Sequence, residues 1–289
     1  MIAFAGIDGT GPDSDEEYAS NFSQSHVIRL YKSWPWPELA FYSRGPTTLG
    51  METGTLAQEA YGWVHRLFES GKAKGIFLTG FSRGAAAAIE TASYLNSFIG
   101  KSYTVNCLAL FDAVDRSTEV GMFVPKGFSP TKVGGAAALS GVGAVVGGAI
   151  AAMGMTFDTP IGGNVELCLH AKRAKEAKSR ESFGNCGLTI LRPSKTKNIP
   201  QPFTCTHGGV GGTPWNPKSG QKTSDIVDEG FPDGKTAVTF EQDGQVSKEV
   251  WKWMKPQWDA AIEATKGKIL AAQPKPTKSA LPGKPPTKK

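Results

Sequence analysis

The chain has 289 residues, 39% of them apolar and 20% charged, which is enough to bury a core of one or two domains and excludes a wholly disordered chain. Its 35 glycines, about 12% against a usual ~7%, lack the every-third-residue period of collagen and point to tight turns and close backbone approaches. Of the formal charge of +6, five units are lysines between Gln273 and Lys289, where there is no acid, and the +1 left on residues 1–272 gives no support to nucleic-acid binding.

The start, Met1-Ile2-Ala3-Phe4, has no basic stretch followed by an apolar one, so no signal peptide is expected and synthesis in the cytoplasm is the default. Ile2 to Ala5 is a short apolar run broken by Gly6, and after Ile7 the run Asp8-Gly9-Thr10-Gly11-Pro12 reads as a strand passing into a turn. Val27 to Tyr31 predicts a second strand, while Trp34 to Pro37 and Phe41 to Pro46 read as loops. From Leu56 the period changes. Leu56, Ala60, Trp63, Val64, Leu67 and Phe68 share one face of a helix that Gly71 ends. Ile76 to Thr79 predicts a strand leading into Gly80-Phe81-Ser82-Arg83-Gly84, Ala85 to Phe98 a helix, and Val105 to Phe111 an apolar strand that stops at Asp112. This alternation predicts an α/β fold with a mostly parallel sheet and helices on both faces.

Val133 to Met155 is 23 residues with Ser140 as the sole polar side chain and seven glycines. Its length reaches the roughly 20 residues of a bilayer span, and Gly143 and Gly147 have the spacing of close helix contacts. The small transfer energy of alanine and glycine favours a buried or lid-like element, with a membrane-contacting element next. Val165 to Arg180 predicts a helix with Lys172, Lys175, Lys178 and Arg180 solvated, and Leu188 to Leu191 a strand. Pro200 to Pro217 predicts a loop around His207, and Ala237 to Phe240 with Gln245 to Val246 a hairpin turning at Asp243-Gly244. Trp251, Met254, Trp258, Ile262, Thr265 and Ile269 mark the core stripe of a final helix. One domain is expected over 1–272, with 133–163 as a lid or membrane-contacting insertion and 273–289 as a disordered basic tail. Cys107, Cys168, Cys186 and Cys205 show no Cys-x-x-Cys spacing and read as buried thiols.

Gly80-x-Ser82-x-Gly84 stands after an apolar strand and before an alanine-rich helix, the setting a nucleophile elbow requires. The turn forces strained dihedrals and brings strand and helix so close that a Cβ at either flank would clash. A serine hydroxyl attacks only when a base takes its proton and an acid orients that base. Of four histidines, His26 precedes a predicted strand, His65 lies inside the helix from Leu56, and His170 falls in the basic helix. His207, in a glycine-rich loop on the C-terminal side, is left as the general base, in the order serine, acid, histidine. Asp112 at the end of its strand leads as the acid, with Asp115 as the alternative. The oxyanion hole is expected from the N–H of Arg83 and a second donor in the early loop, Gly9 or Thr10. That loop also suits phosphoryl transfer or a metal, but no Walker-type lysine or carboxylate cluster accompanies it. No metal or organic cofactor is therefore expected.

Phe4 to Gly11, Gly80 to Ala85, Ala109 to Val114 and His207 to Gly212 together resemble the successive motifs of the DUF2235 family, the α/β-hydrolase family that contains Tle1-type phospholipase effectors of type VI secretion. Glu166 to Phe183, with Arg180, Glu181 and Phe183, resembles that family's helical motif between acid and base. The chain departs from the family at Gly208 and Gly209, where the family has a serine and an aspartate. The resemblance implies an α/β-hydrolase fold with a small cap, Ser82 as nucleophile, Asp112 as acid and His207 as base. It further implies a lipid or membrane surface as substrate, an immunity protein and secretion machinery as partners, and a type VI-like route to a target-cell periplasm or membrane. The expectation is a serine esterase or lipase acting on (phospho)lipid esters as an antibacterial effector. Three rivals stand beside it: an esterase or amidase of small molecules or cell wall, a membrane-inserting or lipid-binding protein that uses the glycine-rich segment, and a structural or adaptor role for a decayed hydrolase.

Overall fold

In the computed structural model a six-stranded parallel sheet lies between two layers of helices; the structure describes residues 1–47, 52–97, 102–115, 159–181, 183–230 and 233–272. The apolar glycine-rich stretch 133–155, most of the insertion 133–163 and the tail 273–289 lie outside them. Among the described residues no helix is long and apolar enough to cross a membrane.

In chain order the sheet strands are β1 (Ile2–Ile7), β2 (Ala40–Ser43), β3 (Gly75–Phe81), β4 (Cys107–Phe111), β5 (Leu167–Arg173) and β6 (Lys197–Phe203), arranged β2-β1-β3-β4-β5-β6. Helices α1 (Asp15–Phe22), α2 (His26–Lys32), α3 (Thr53–Glu69), α4 (Arg83–Ser97), the short α5 (His207–Gly211) and α6 (Phe240–Ala271) complete the layers. A two-stranded antiparallel ribbon, β7 (Ile226–Asp228) with β8 (Lys235–Thr239), precedes α6. Strands β1, β3 and β4 are buried along their whole length, because each presents apolar side chains to both helical layers. Ile76, Leu78, Leu108 and Leu110 pack with Val64 of α3 and Ala85, Ile89 and Leu95 of α4. The alternate positions Phe77, Ala109 and Phe111 pack with Leu30 of α2 and Met254, Trp258 and Ile262 of α6. This is an α/β-hydrolase-like fold, and its parallel sheet with helices on both faces is the architecture that the element pattern predicts.

Several local expectations are overturned, some by a helix cap and others by a contact distant in sequence. Val27 to Tyr31 is part of α2: Ser25 caps it by accepting from the Ile28 N–H at 3.1 Å, and Val27 and Leu30 are buried. Phe41 to Ser43 belongs to an edge strand paired in parallel with β1, from Phe4 opposite Ala40 to Ile7 opposite Ser43. The helix expected over 165–180 is instead β5 followed by a 3₁₀ turn at Lys175–Ala177. β5 pairs with β4 and β6, so its centre is buried on both faces and the lysine spacing beyond it carries no helical meaning. Leu188 to Leu191 makes only an isolated bridge, Ile190 with Ile161. The loop expected over 200–217 holds the end of β6 and all of α5. The hairpin expected at Asp243-Gly244 is absent, because Thr239 and Gln242 form a capping box that starts α6 at Phe240. The strand before that cap pairs backward with β7. All four cysteines are buried thiols.

Candidate active site

Parallel register places the turns after β3 and β4 side by side. Phe81 lies opposite Phe111, Phe111 opposite Ala171, the Ser82 N–H donates to Phe111 O at 3.0 Å, and the Asp112 N–H donates to Ala171 O at 2.7 Å. Both residues leave their strands at positive φ, 56° for Ser82 and 44° for Asp112, a conformation that costs on the order of 1–3 kcal/mol and turns each side chain out of the sheet. The flanking glycines are steric requirements. A Cβ on Gly80 would lie 2.3 Å from Gly84 O, and one on Gly84 would lie 2.1 Å from Asp8 O.

His207 joins the two. Its Nε2 is 2.9 Å from Ser82 Oγ and its Nδ1 is 2.6 Å from Asp112 Oδ2. All three side chains are buried, with Ser82 5% and His207 8% exposed at the cavity and Asp112 fully enclosed. Asp115 is elsewhere, accepting the hydroxyl of Thr159. Burial alone pushes the Asp112 carboxyl up, but the Arg173 guanidinium, the His207 ring and the Asn185 amide hold it well below the usual carboxylate range. His207 is lowered, first by burial and also by Arg173, against the hydrogen bond and charge of Asp112. Its imidazole is thus kept in the form that can accept a proton near neutrality.

The loop that carries His207 is held from three sides. Thr206 caps α5 by accepting from the Gly209 N–H at 2.9 Å. Asp243, at the start of α6, accepts from the Thr206 N–H at 2.7 Å, the Thr206 hydroxyl at 2.9 Å and the Trp215 N–H at 2.9 Å. The His207 N–H donates to Ser179 Oγ at 2.8 Å, whose hydroxyl in turn donates to Glu229 Oε1 at 2.9 Å. Beyond the local Thr206 cap, these supports do not stand out in the sequence, because Asp243 and Glu229 lie 37 and 50 positions from their partners. Arg173 and Asn185, both bonded to Asp112, escape sequence reasoning for the same reason. The continuous apolar run Leu167-Cys168-Leu169 is the signal that could have shown a buried strand, and with it an arginine at that strand's end.

The early loop divides the expected oxyanion donors. The Gly9 N–H donates to Asp8 Oδ1 at 2.9 Å and so serves the loop itself. Thr10 lines the cavity beside Ser82 and Arg83, and its Oγ1 is buried with no hydrogen-bond partner among the described residues. Arg83 is the first residue of α4, so its N–H belongs to the helix end that carries partial positive charge. The loop is braced by Tyr18, whose hydroxyl donates to Gly9 O at 2.6 Å and accepts from the Gly45 N–H at 2.8 Å.

Asp8 is fully buried, and burial pushes its carboxyl up to about 7 despite hydrogen bonds from Ser25, Gly9 and Tyr42. A carboxyl raised by folding stabilises the fold in its neutral form. That contribution is complete below the unfolded value of 3.8 and is lost as pH rises through about 7. The urea midpoint of the wild-type chain is therefore expected to fall more between pH 4 and pH 8 than that of Asp8→Asn, which cannot ionise. Parallel pH dependences in the two chains would contradict this account.

The other histidines have structural places. His170, expected in a basic helix, is buried on β5, where its Nε2 accepts from the Ala113 N–H at 3.3 Å and burial lowers its pKa to about 4. His26 is buried against Trp251, and His65 lies within hydrogen-bond distance of the Tyr103 hydroxyl, 3.1 Å away. Among the described residues the cavity over Ser82 has a volume of about 360 Å³, with an aromatic wall of Phe22, Phe81, Phe183 and Trp215, and Arg180 and Glu229 also line it.

No protein-family model and no curated protein matches the chain. That overturns the DUF2235 resemblance, three of whose four short motifs fall on the elbow and on the ends of β1 and β4, and the phospholipase and type VI effector expectations fall with it. The helical motif read over Glu166 to Phe183 is likewise replaced by β5 and a turn. Among solved structures the chain is similar to ClbQ from the colibactin NRPS/PKS pathway, at 15% identity over 73% of this chain and 90% of that one, with a TM-score of 0.29. It is similar to the RedJ thioesterase from the prodiginine biosynthetic pathway in Streptomyces coelicolor, at 14% identity over 74% and 81%, TM-score 0.32. It is also similar to Est1E from Butyrivibrio proteoclasticus, at 13% identity over 71% and 80%, TM-score 0.30. The strand order and the site geometry of this chain, rather than these likenesses, carry the functional reading.

Proposed function

We propose that the protein is a serine hydrolase that cleaves a carboxylic ester or thioester through an acyl-enzyme. The observation that supports it is the continuous chain from Ser82 Oγ to His207 Nε2 at 2.9 Å and from His207 Nδ1 to Asp112 Oδ2 at 2.6 Å, at the head of a strand–turn–helix elbow. Ser82 Oγ attacks the acyl carbon as its proton passes to His207 Nε2. His207 then gives that proton to the leaving alcohol or thiol, and the acyl group stays on Ser82. A water molecule, deprotonated by the same nitrogen, releases the acid and restores the serine. Asp112 keeps Nδ1 protonated and stabilises the imidazolium formed in each half-reaction. The tetrahedral oxyanion is held by the Arg83 N–H and a donor of Thr10.

The aromatic wall suits an apolar acyl or aryl group, and the volume of about 360 Å³ suits one of modest length. The test is labelling of the folded chain by a fluorophosphonate, together with turnover of nitrophenyl acetate, butyrate, octanoate and palmitate and of a short acyl thioester. Labelling at Ser82 with turnover strongest for butyrate or octanoate is expected. A folded chain that neither labels nor turns over any of these acyl donors would sink the proposal, whereas preference for palmitate would move the substrate to lipid esters.

A further inference from the structure

The acid of this site is held by more than the histidine it orients. Asp112 accepts from His207 Nδ1, from Asn185 Nδ2 at 2.8 Å, from the Arg173 backbone N–H at 3.1 Å, and from Arg173 Nη1 in an ion pair. Arg173 is the last residue of β5, the strand beside β4, and its side chain is only 7% exposed. Its other arm, Nη2, donates to Arg180 O at 3.1 Å and to Gly184 O at 2.7 Å. The guanidinium fork is therefore spent between the acid and the segment that carries Arg180 and Phe183 to the cavity, and Phe183 meets the His207 ring edge-on at 5.4 Å.

A carboxylate beside an imidazole favours the charged imidazolium, and a guanidinium that shares the carboxylate reduces that effect. We propose that Arg173 is a positioning residue of the triad, fixing the Asp112 carboxylate toward His207 and offsetting part of the negative charge that His207 meets. This inference rests on the reading of Ser82, His207 and Asp112 as a working triad. Among the described residues, the other charged or titratable groups around the pair include Arg83, Arg180 and Glu229 at the cavity, His170 on β5, and Cys205 and Asp243 on the side of β6 and α6. Glu229 acts on His207 in the opposite sense to Arg173. Lysine at 173 would keep the charge but could not span Asp112, Arg180 O and Gly184 O as a planar fork does.

The test is an NMR titration of the His207 ring in the full chain, with a kcat/KM profile against pH on nitrophenyl butyrate. In the wild type His207 is expected to titrate below the ordinary 6.5. In Arg173→Met the titration and the acid limb of the profile move to higher pH by about one unit, and in Arg173→Lys they move less than half as far. A wild-type titration above 6.5, a reading that needs no variant, overturns the proposal. An Arg173→Met titration that stays in place or moves to lower pH also overturns it. A shifted titration in a chain that turns over no ester upholds the electrostatic part assigned to Arg173 and removes the catalytic reading instead, so the two failures are told apart.

Discussion

Alanine in place of Ser82 is expected to lower kcat for nitrophenyl butyrate by roughly 10⁵–10⁶-fold, the loss found when a triad nucleophile is removed. Without Oγ there is no acyl acceptor and no proton for His207 Nε2 to take, so the two half-reactions cannot be separated. Residual turnover over water would come from the donors at Arg83 and Thr10 and from binding in the cavity. The proposed triad, acting as a unit, predicts that Ser82→Ala with His207→Ala is no slower than Ser82→Ala alone. The serine is 5% exposed at a cavity wall, and removing one oxygen leaves the Ser82 N–H bond to Phe111 O intact. Thermal unfolding of the variant should accordingly stay close to wild type. A loss below tenfold, with fluorophosphonate found on another side chain, would place the chemistry elsewhere.

The second large effect is structural. Gly84→Ala is expected to destabilise the fold by about 3 kcal/mol, at the upper end for a side chain forced into a filled space, and to abolish fluorophosphonate labelling in whatever fraction remains folded. The added Cβ would lie 2.1 Å from Asp8 O and 2.4 Å from Ile7 O, both backbone atoms at the end of β1. Neither can swing aside as a side chain tip could, so α4 must back away from the sheet and take the elbow with it. Gly267→Ala is the control. Its Cβ would meet nothing within 4 Å on an exposed turn of α6, and alanine there should be neutral or stabilising by about 0.5–1 kcal/mol. Urea unfolding of the two variants beside wild type measures the difference, and equal midpoints would contradict the steric account of the elbow.

What could be read directly from the residues is what depends on near neighbours. The elbow is written in five consecutive positions: the backbone strain at Ser82 and the crowding of Gly80 against Gly84 arise within one turn, although Gly84 is also required by the end of β1 that packs against it. The buried strands β3 and β4 show as apolar runs, since a strand covered on both faces needs no alternation. His207 and Asp112 stand out only by elimination and by position at a strand's end, and the fold then brings His207 to Ser82 across 125 positions of chain and to Asp112 across 95. The readings that failed turned on helix caps and on distant partners. Val27 to Tyr31 is helical because Ser25 caps it and its apolar face is covered, and the strand within 165–180 forms because β4 and β6 flank it on either side. Three of the four short motifs that suggested a family fall on the elbow and on strand ends of the sheet, where they reflect fold rather than function. Arg173 on Asp112 and Asp243 on Thr206 are pairings across 61 and 37 positions. A charged side chain looks solvated in sequence until tertiary packing removes the water around it and supplies its counter-charge. Local sterics and hydrophobic pattern were thus legible in the sequence itself, whereas the electrostatic setting of His207 was decided by the packing of the whole sheet.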